Sequence, residues 1–194
     1  TILITNYGED NEVIDTMVSV LSEMMDKTSI GKRKTLEDTL STYFGTMYPI
    51  YFKNSSAGYY ENYQSIEGCI DDILDVVLNN KIIYQINTLG GAIANRENKQ
   101  NSCYPHRDMP YLCELQSYWK KDSQKESRAT AFNKVQSILN NHGIDKQYRN
   151  YPNIDFPNWE RAYFGKNYTK LQSLKQKYDP NDFINHDQSV KLAE

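Results

Sequence analysis

Apolar residues recur along this chain with two different periods. Val13, Ile14, Met17, Val18, Leu21, Met24 and Met25 fall at helical spacing, which predicts a helix from Asp10 to Met25, with Asp10 placed to cap it. A short strand at ILIT, residues 2–5, precedes that helix. A second helical pattern runs from Thr35 to Phe44, and a third from Ser65 to Leu78 gathers Ile66, Ile70, Ile73, Leu74 and Val77 on one side. Between them lies YPIYFKNSSAGYYENY, rich in Tyr, Asn, Ser and Gly, which reads as strand and loop.

The period then changes. KIIYQINTLGGAIA, residues 81–94, sets β-branched residues before a Gly-Gly break and predicts a strand. Alternation along it puts Ile83, Gln85 and Asn87 on one face and Ile82, Tyr84 and Ile86 on the other, so two amides lie side by side. A second strand, Tyr111–Trp119, follows the polar loop NRENKQNSCYPHRD. A helix from Ser123 to His142, built on Ala131, Phe132, Val135, Ile138 and Leu139, stops at Gly143. After YRNYPN come two helices, interrupted near Gly165 and ended by Pro180, and a polar tail. Strands and helices alternating without a phosphate-cradling glycine loop predict an α+β fold: an antiparallel sheet with helices covering one face.

Composition narrows the function classes. The 194 residues carry a net charge of −3, with Lys and Arg dispersed among acids, which is the wrong field for nucleic acid. The densest basic run, IGKRK, reads as a solvated loop. No apolar run reaches the roughly 18 residues of a membrane span, and the opening residues TILITNYGED have no secretory leader pattern. Cys69, Cys103 and Cys113 are an odd count without metal-ligand spacing, leaving at most one internal bridge. Two sequons, at Asn54 and Asn167, tilt the expectation toward a secreted glycoprotein.

The C-terminal stretch YRNYPNIDFPNWERAYFGKNYTKLQSLKQKYDPNDFINHDQSV resembles the closing segment of berberine-bridge-enzyme-like FAD-linked oxidoreductases of the vanillyl-alcohol-oxidase type. Members end in a Tyr-x-Asn-Tyr strand, then Trp, Tyr-Phe-Gly-x-Asn-Tyr, Leu, Lys-x-Lys-Tyr-Asp-Pro and Gln-Ser. Upstream, GGAIA, YPHRD and YFKNSSAGYY resemble the middle of the same family. The resemblance implies residues 1–145 as an incomplete substrate-binding domain and 146–194 as the closing segment. It also implies an FAD-binding portion elsewhere in the protein, on which the C-terminal helices pack. The implied cofactor is FAD, and the implied activity is oxidation of an alcohol or carbohydrate hydroxyl by hydride transfer. The implied partners are a small-molecule alcohol or oligosaccharide and that FAD-binding portion, with no nucleic acid and no membrane.

Residue by residue, the resemblance puts a proton-accepting tyrosine at Tyr151, with Tyr148 beside the flavin. Gln85 falls on a substrate-binding Gln. Asn87 stands where sugar oxidases of the family carry an Asp that orients the tyrosine; it is neutral and can only donate or accept hydrogen bonds. Asn150 and Asn167 fall near the cofactor. Two other readings stand beside these: the tyrosine pair as packing between the sheet and the helix at 158–177, and the whole chain as a non-catalytic binding or storage protein on the same fold. His106 and Arg107 read as a loop anchor, and Trp159 and Tyr163 as helix-face core.

Overall fold

The computed structural model describes residues 11–32, 35–45, 49–95, 97–98 and 101–193. The ILIT strand and Asp10 lie outside these residues. The chain divides into two compact units, Thr1–Tyr48 and Pro49–Glu194. In the first, α1 spans Glu12–Leu21 and runs on into a 3-10 turn at Ser22–Met24, while α2 spans Leu36–Phe44. Thr35 starts α2 with a reciprocal cap: its hydroxyl accepts from Asp38 N at 3.1 Å, and the Asp38 carboxylate accepts from Thr35 N at 3.2 Å.

The second unit is built on three antiparallel strands in the order β1-β3-β2: β1 Tyr51–Tyr60, β2 Ile82–Thr88 and β3 Tyr111–Trp119. The expected helix over 65–78 is two helices, α3 Gln64–Glu67 and α4 Ile70–Asn80. The break falls at Gly68–Cys69, where Cys69 leaves helical dihedrals (φ −137, ψ −2). Lys81 takes the left-handed conformation (φ 52) and turns the chain from α4 straight into β2. The long helix α5 spans Lys125–Asn141, and α6 Trp159–Phe164 and α7 Tyr168–Tyr178 are separated by a 3-10 turn at Gly165–Asn167.

Residues opposite one another across β1-β3-β2 share a face, so the register sorts the sheet. Leu115 and Ile82 join Ala57, Ile73, Val76, Val77, Phe132, Val135 and Leu139 in one buried cluster under α4 and α5. The helices therefore cover one face, as the alternation of elements predicts. The other face carries Phe52, Asn54, Ser56, Glu114, Gln116, Gln85 and Asn87, with Tyr59 and Leu112 at one end. A bulge between Ser56 and Gly58 inserts Ala57 and re-aims the chain, so that Tyr59 emerges on this second face while Ala57 points into the core.

Candidate active site

The end of α5 places the tyrosines of YRNYPN. Gly143 N donates to Asn140 O at 3.0 Å and Ile144 N to Leu139 O at 3.0 Å, with Gly143 at φ +76. This is a Schellman stop, sealed by contact between buried Leu139 and Ile144. It delivers Ile144 onto β1 at Gly58, where an added Cβ would sit 2.5 Å from Ile144 Cγ2. The backbone then runs along the free edge of β1: Tyr59 N donates to Lys146 O at 3.0 Å and Ser56 N to Tyr151 O at 2.8 Å. Ser56 Oγ accepts from Tyr148 N at 3.0 Å. Residues 148–151 form a turn, where members of the family have a strand; it is closed by Tyr151 N donating to Tyr148 O at 3.0 Å, and Pro152 has no N–H to continue a ladder.

The two rings come to rest over the sheet, against Tyr59, Met109 and Leu112, rather than against the C-terminal helices. Tyr148 and Tyr151 meet edge to face at 5.1 Å, and Tyr148 also meets Tyr59 and Tyr104 edge-on. The Tyr59 and Tyr104 hydroxyls share a 2.7 Å hydrogen bond. The exposed Asn150 donates from Nδ2 to the Tyr148 hydroxyl at 2.9 Å. Asn153 anchors the far end of the turn: its N–H donates to Tyr163 Oη at 3.0 Å, Tyr163 donates to Gln188 Oε1 at 3.2 Å, and Gln188 Nε2 returns to Asn153 O at 2.8 Å. The polar tail thus holds the loop through a closed ring of bonds.

Across the middle of the same face runs an amide chain. Gln116 Nε2 donates to Gln85 Oε1 at 3.2 Å, and Gln85 Nε2 donates to Asn87 Oδ1 at 2.9 Å. Asn87 Nδ2 is left buried without a partner, which is costly unless something supplies an acceptor. Glu114 lies beside this chain, opposite Gln85 and Ser56 in register. The residue is 4% exposed, and its carboxylate accepts from Asn54 Nδ2 at 2.6 Å through Oε1.

Glu114 is the residue that sequence reasoning missed. Its signal was there: a single acid at the centre of YLCELQSYW, on the same side as Gln116 and Leu112. Its charge reaches Tyr151, whose phenol is pushed above its usual value by burial first, then by Glu114 and Tyr148. Burial and the bond to Tyr104 push the Tyr59 phenol up as well. Both phenols are therefore hydrogen-bond donors near neutrality.

The remaining residues support the loops. His106, buried, has Nε2 2.8 Å from Ala162 O, and burial holds its imidazole below the ordinary range despite that bond. Arg107 donates to Ser102 Oγ and Ile93 O, both at 3.1 Å, and lies over the Tyr104 ring. Asn167 donates to Cys103 O at 3.1 Å from the start of α7. Both sequon asparagines, Asn54 and Asn167, thus have the nitrogen that a glycan would occupy engaged in a hydrogen bond. All three cysteines are free.

Residues 147–191 match the family described as "Berberine and berberine like". The uncharacterized FAD-linked oxidoreductase YvdP of Bacillus subtilis (strain 168) is 29% identical over 52% of this chain and 22% of its own length. A carbohydrate oxidase of Microdochium nivale is 28% identical over 66% of this chain and 28% of its own length. The chain thus spans about a quarter of these relatives. Among solved structures, wild-type BBE-like 1 of Physcomitrella patens superposes with a TM-score of 0.66 at 19% identity, over 80% of this chain and 33% of that one. The C-terminal segment of this chain is thus similar to the closing segment of that family, and its fold is the one found in BBE-like structures.

Proposed function

We propose that this chain forms the substrate-facing wall of an FAD-dependent oxidoreductase that oxidises a hydroxyl of a carbohydrate. The observation that carries the reading is the buried Glu114 carboxylate set in a ladder of amides on the sheet face opposite the helices. A carbohydrate oxidase and FAD-linked oxidoreductases among the relatives give the chemistry its class.

The residues present fit the flat end of such a cofactor. The orphaned Asn87 Nδ2 requires an acceptor, and the half-buried rings of Tyr148 and Tyr151 offer an apolar border. Asn150, which donates to the Tyr148 hydroxyl, and Asn167 are the amides that the family resemblance assigns to the cofactor, and the residues holding its pyrophosphate belong to another part of the protein. FAD, when bound, supplies the acceptor for the hydride that leaves the substrate carbon.

The hydroxyl proton goes the other way. Glu114, with Oε1 held by Asn54, accepts it on Oε2, so the alcohol loses one proton and one hydride to become a carbonyl. Tyr151, kept protonated, donates a hydrogen bond to the substrate oxygen and fixes its position. Gln85 and Gln116 bind neighbouring hydroxyls. Glu114 thus takes the role that the family resemblance gave to Tyr151. The test is the full-length protein. A yellow protein whose flavin absorbance bleaches anaerobically on adding a sugar supports the reading. A colourless protein that takes up no FAD overturns it and favours a binding or storage role.

A further inference from the structure

Away from the amide ladder, a cleft opens between two stretches of chain. One wall is the loop at 105–109 with the segment that leaves α5, and the other is α6 with its flanking turns. Its volume is about 510 Å³, enough for a small molecule. The walls are tied together at one atom: Ala162 O accepts from Gln147 N at 2.9 Å and lies 2.8 Å from His106 Nε2. Buried Met109 from the first wall and Phe156 from the second give the lining an apolar stretch.

The rim is charged, with opposite signs on opposite walls. Asp108 and Asp145 come from the first, Arg161 and Lys166 from the second, and all four residues are exposed. Both acids act on the charge of His106 and so lie on its side of the cleft. Lys146 belongs to the same wall, but its Nζ turns to Met109 Sδ at 4.0 Å. Asp145, Arg161 and Lys166 make no ion pair with another described residue. Two walls that carry unlike charges without joining them suit a molecule that carries both. The Arg161 fork and the Lys166 ammonium fit a carboxylate, and the facing acids fit an ammonium group.

We propose that this cleft binds a small zwitterion with an apolar body, an aromatic α-amino acid. Its carboxylate meets Arg161 and Lys166, its ammonium group meets Asp145 and Asp108, and its ring packs on Phe156 and Met109. The inference stands apart from the proposed oxidation, since none of these side chains belongs to the amide ladder or to the tyrosine pair.

The test is calorimetry on the full-length protein with L-phenylalanine, 3-phenylpropionate and 2-phenylethylamine, which share the ring and differ in the charges. Phenylalanine should bind saturably, and each single-charge analogue should bind about tenfold more weakly or worse. In Arg161→Gln/Lys166→Gln, phenylalanine should bind no more tightly than 2-phenylethylamine does. In Asp108→Asn/Asp145→Asn it should bind no more tightly than 3-phenylpropionate does. The substituted residues are exposed, so thermal melts of the ligand-free variants should match the parent. Absence of phenylalanine binding by the parent overturns the proposal. So does an analogue that binds the parent as tightly as phenylalanine, a comparison that needs no variant to fold. Either double variant binding phenylalanine with the parent's affinity overturns it as well.

Discussion

Gly58→Ala should dislodge the candidate site without touching any residue of it. Gly58 has φ +112, a region that strains any side chain by about 1–3 kcal/mol. The new Cβ would lie 2.5 Å from Ile144 Cγ2 and 3.2 Å from Ile144 O, so the β1 edge and the 144–151 segment must part. Overpacking of this kind costs a further 1–3 kcal/mol or so, for a total of roughly 2–6 kcal/mol, against a typical domain stability of about 5–15. Urea unfolding followed by the fluorescence of Trp119 and Trp159 measures it. Ile144→Ala in the Gly58→Ala background removes the side-chain contact but not the φ strain, so it should recover part of the loss. A Gly58→Ala protein within about 0.5 kcal/mol of the parent would refute the claim that this close approach positions Tyr148 and Tyr151.

Gln188→Ala should cost about 1–3 kcal/mol, since it strips partners from buried Asn153 O and the Tyr163 hydroxyl; thermal melts check it, and no change would show the ring of bonds to be slack. Burial lowers the His106 pKa in the folded state, so the unfolded chain takes up that proton first. Its contribution is therefore full above about 6.5 and is lost as pH falls through the folded value. His106→Gln keeps a donor for Ala162 O without titrating and should flatten stability between pH 7 and 5; an unaltered pH slope would contradict this. Expressed in a glycosylating host, the folded protein should carry no glycan at Asn54 or Asn167 by mass spectrometry; full occupancy at either would contradict the bonds those amides make.

Alternation and capping are local, and what depended on them was legible in the sequence. Tyr111–Trp119 is a strand over the residues its pattern marks, α2 lies within the stretch its pattern marks, and Gly143 stops α5. The split at Gly68–Cys69 was not legible, because Ile66 and Ile70 keep helical spacing across it. The position of YRNYPN was not legible either, since it depends on Ile144 meeting Gly58, 86 residues away in the chain. Gln85 and Asn87 could be placed on one face by counting. The role of Glu114 could not, because an acid inside a strand reads as solvated until Asn54, 60 residues earlier, donates a hydrogen bond to its buried carboxylate. The expectation that Tyr151 takes the proton came from family resemblance alone, and the neighbours that raise its phenol are visible only in the fold.

The central claim is that Glu114 receives the substrate proton while Tyr151 positions the substrate. Anaerobic stopped-flow reduction of the flavin in the full-length protein, comparing Glu114→Gln with Tyr151→Phe across pH, tests it directly. Glu114→Gln keeps the shape and the bond from Asn54 but removes the base. Its reduction rate should fall by about a hundredfold to ten-thousandfold at every pH examined. Tyr151→Phe should fall less. A Glu114→Gln protein that reduces flavin as fast as the parent, with Tyr151→Phe taking the large loss, would contradict the account and return the proton to the tyrosine.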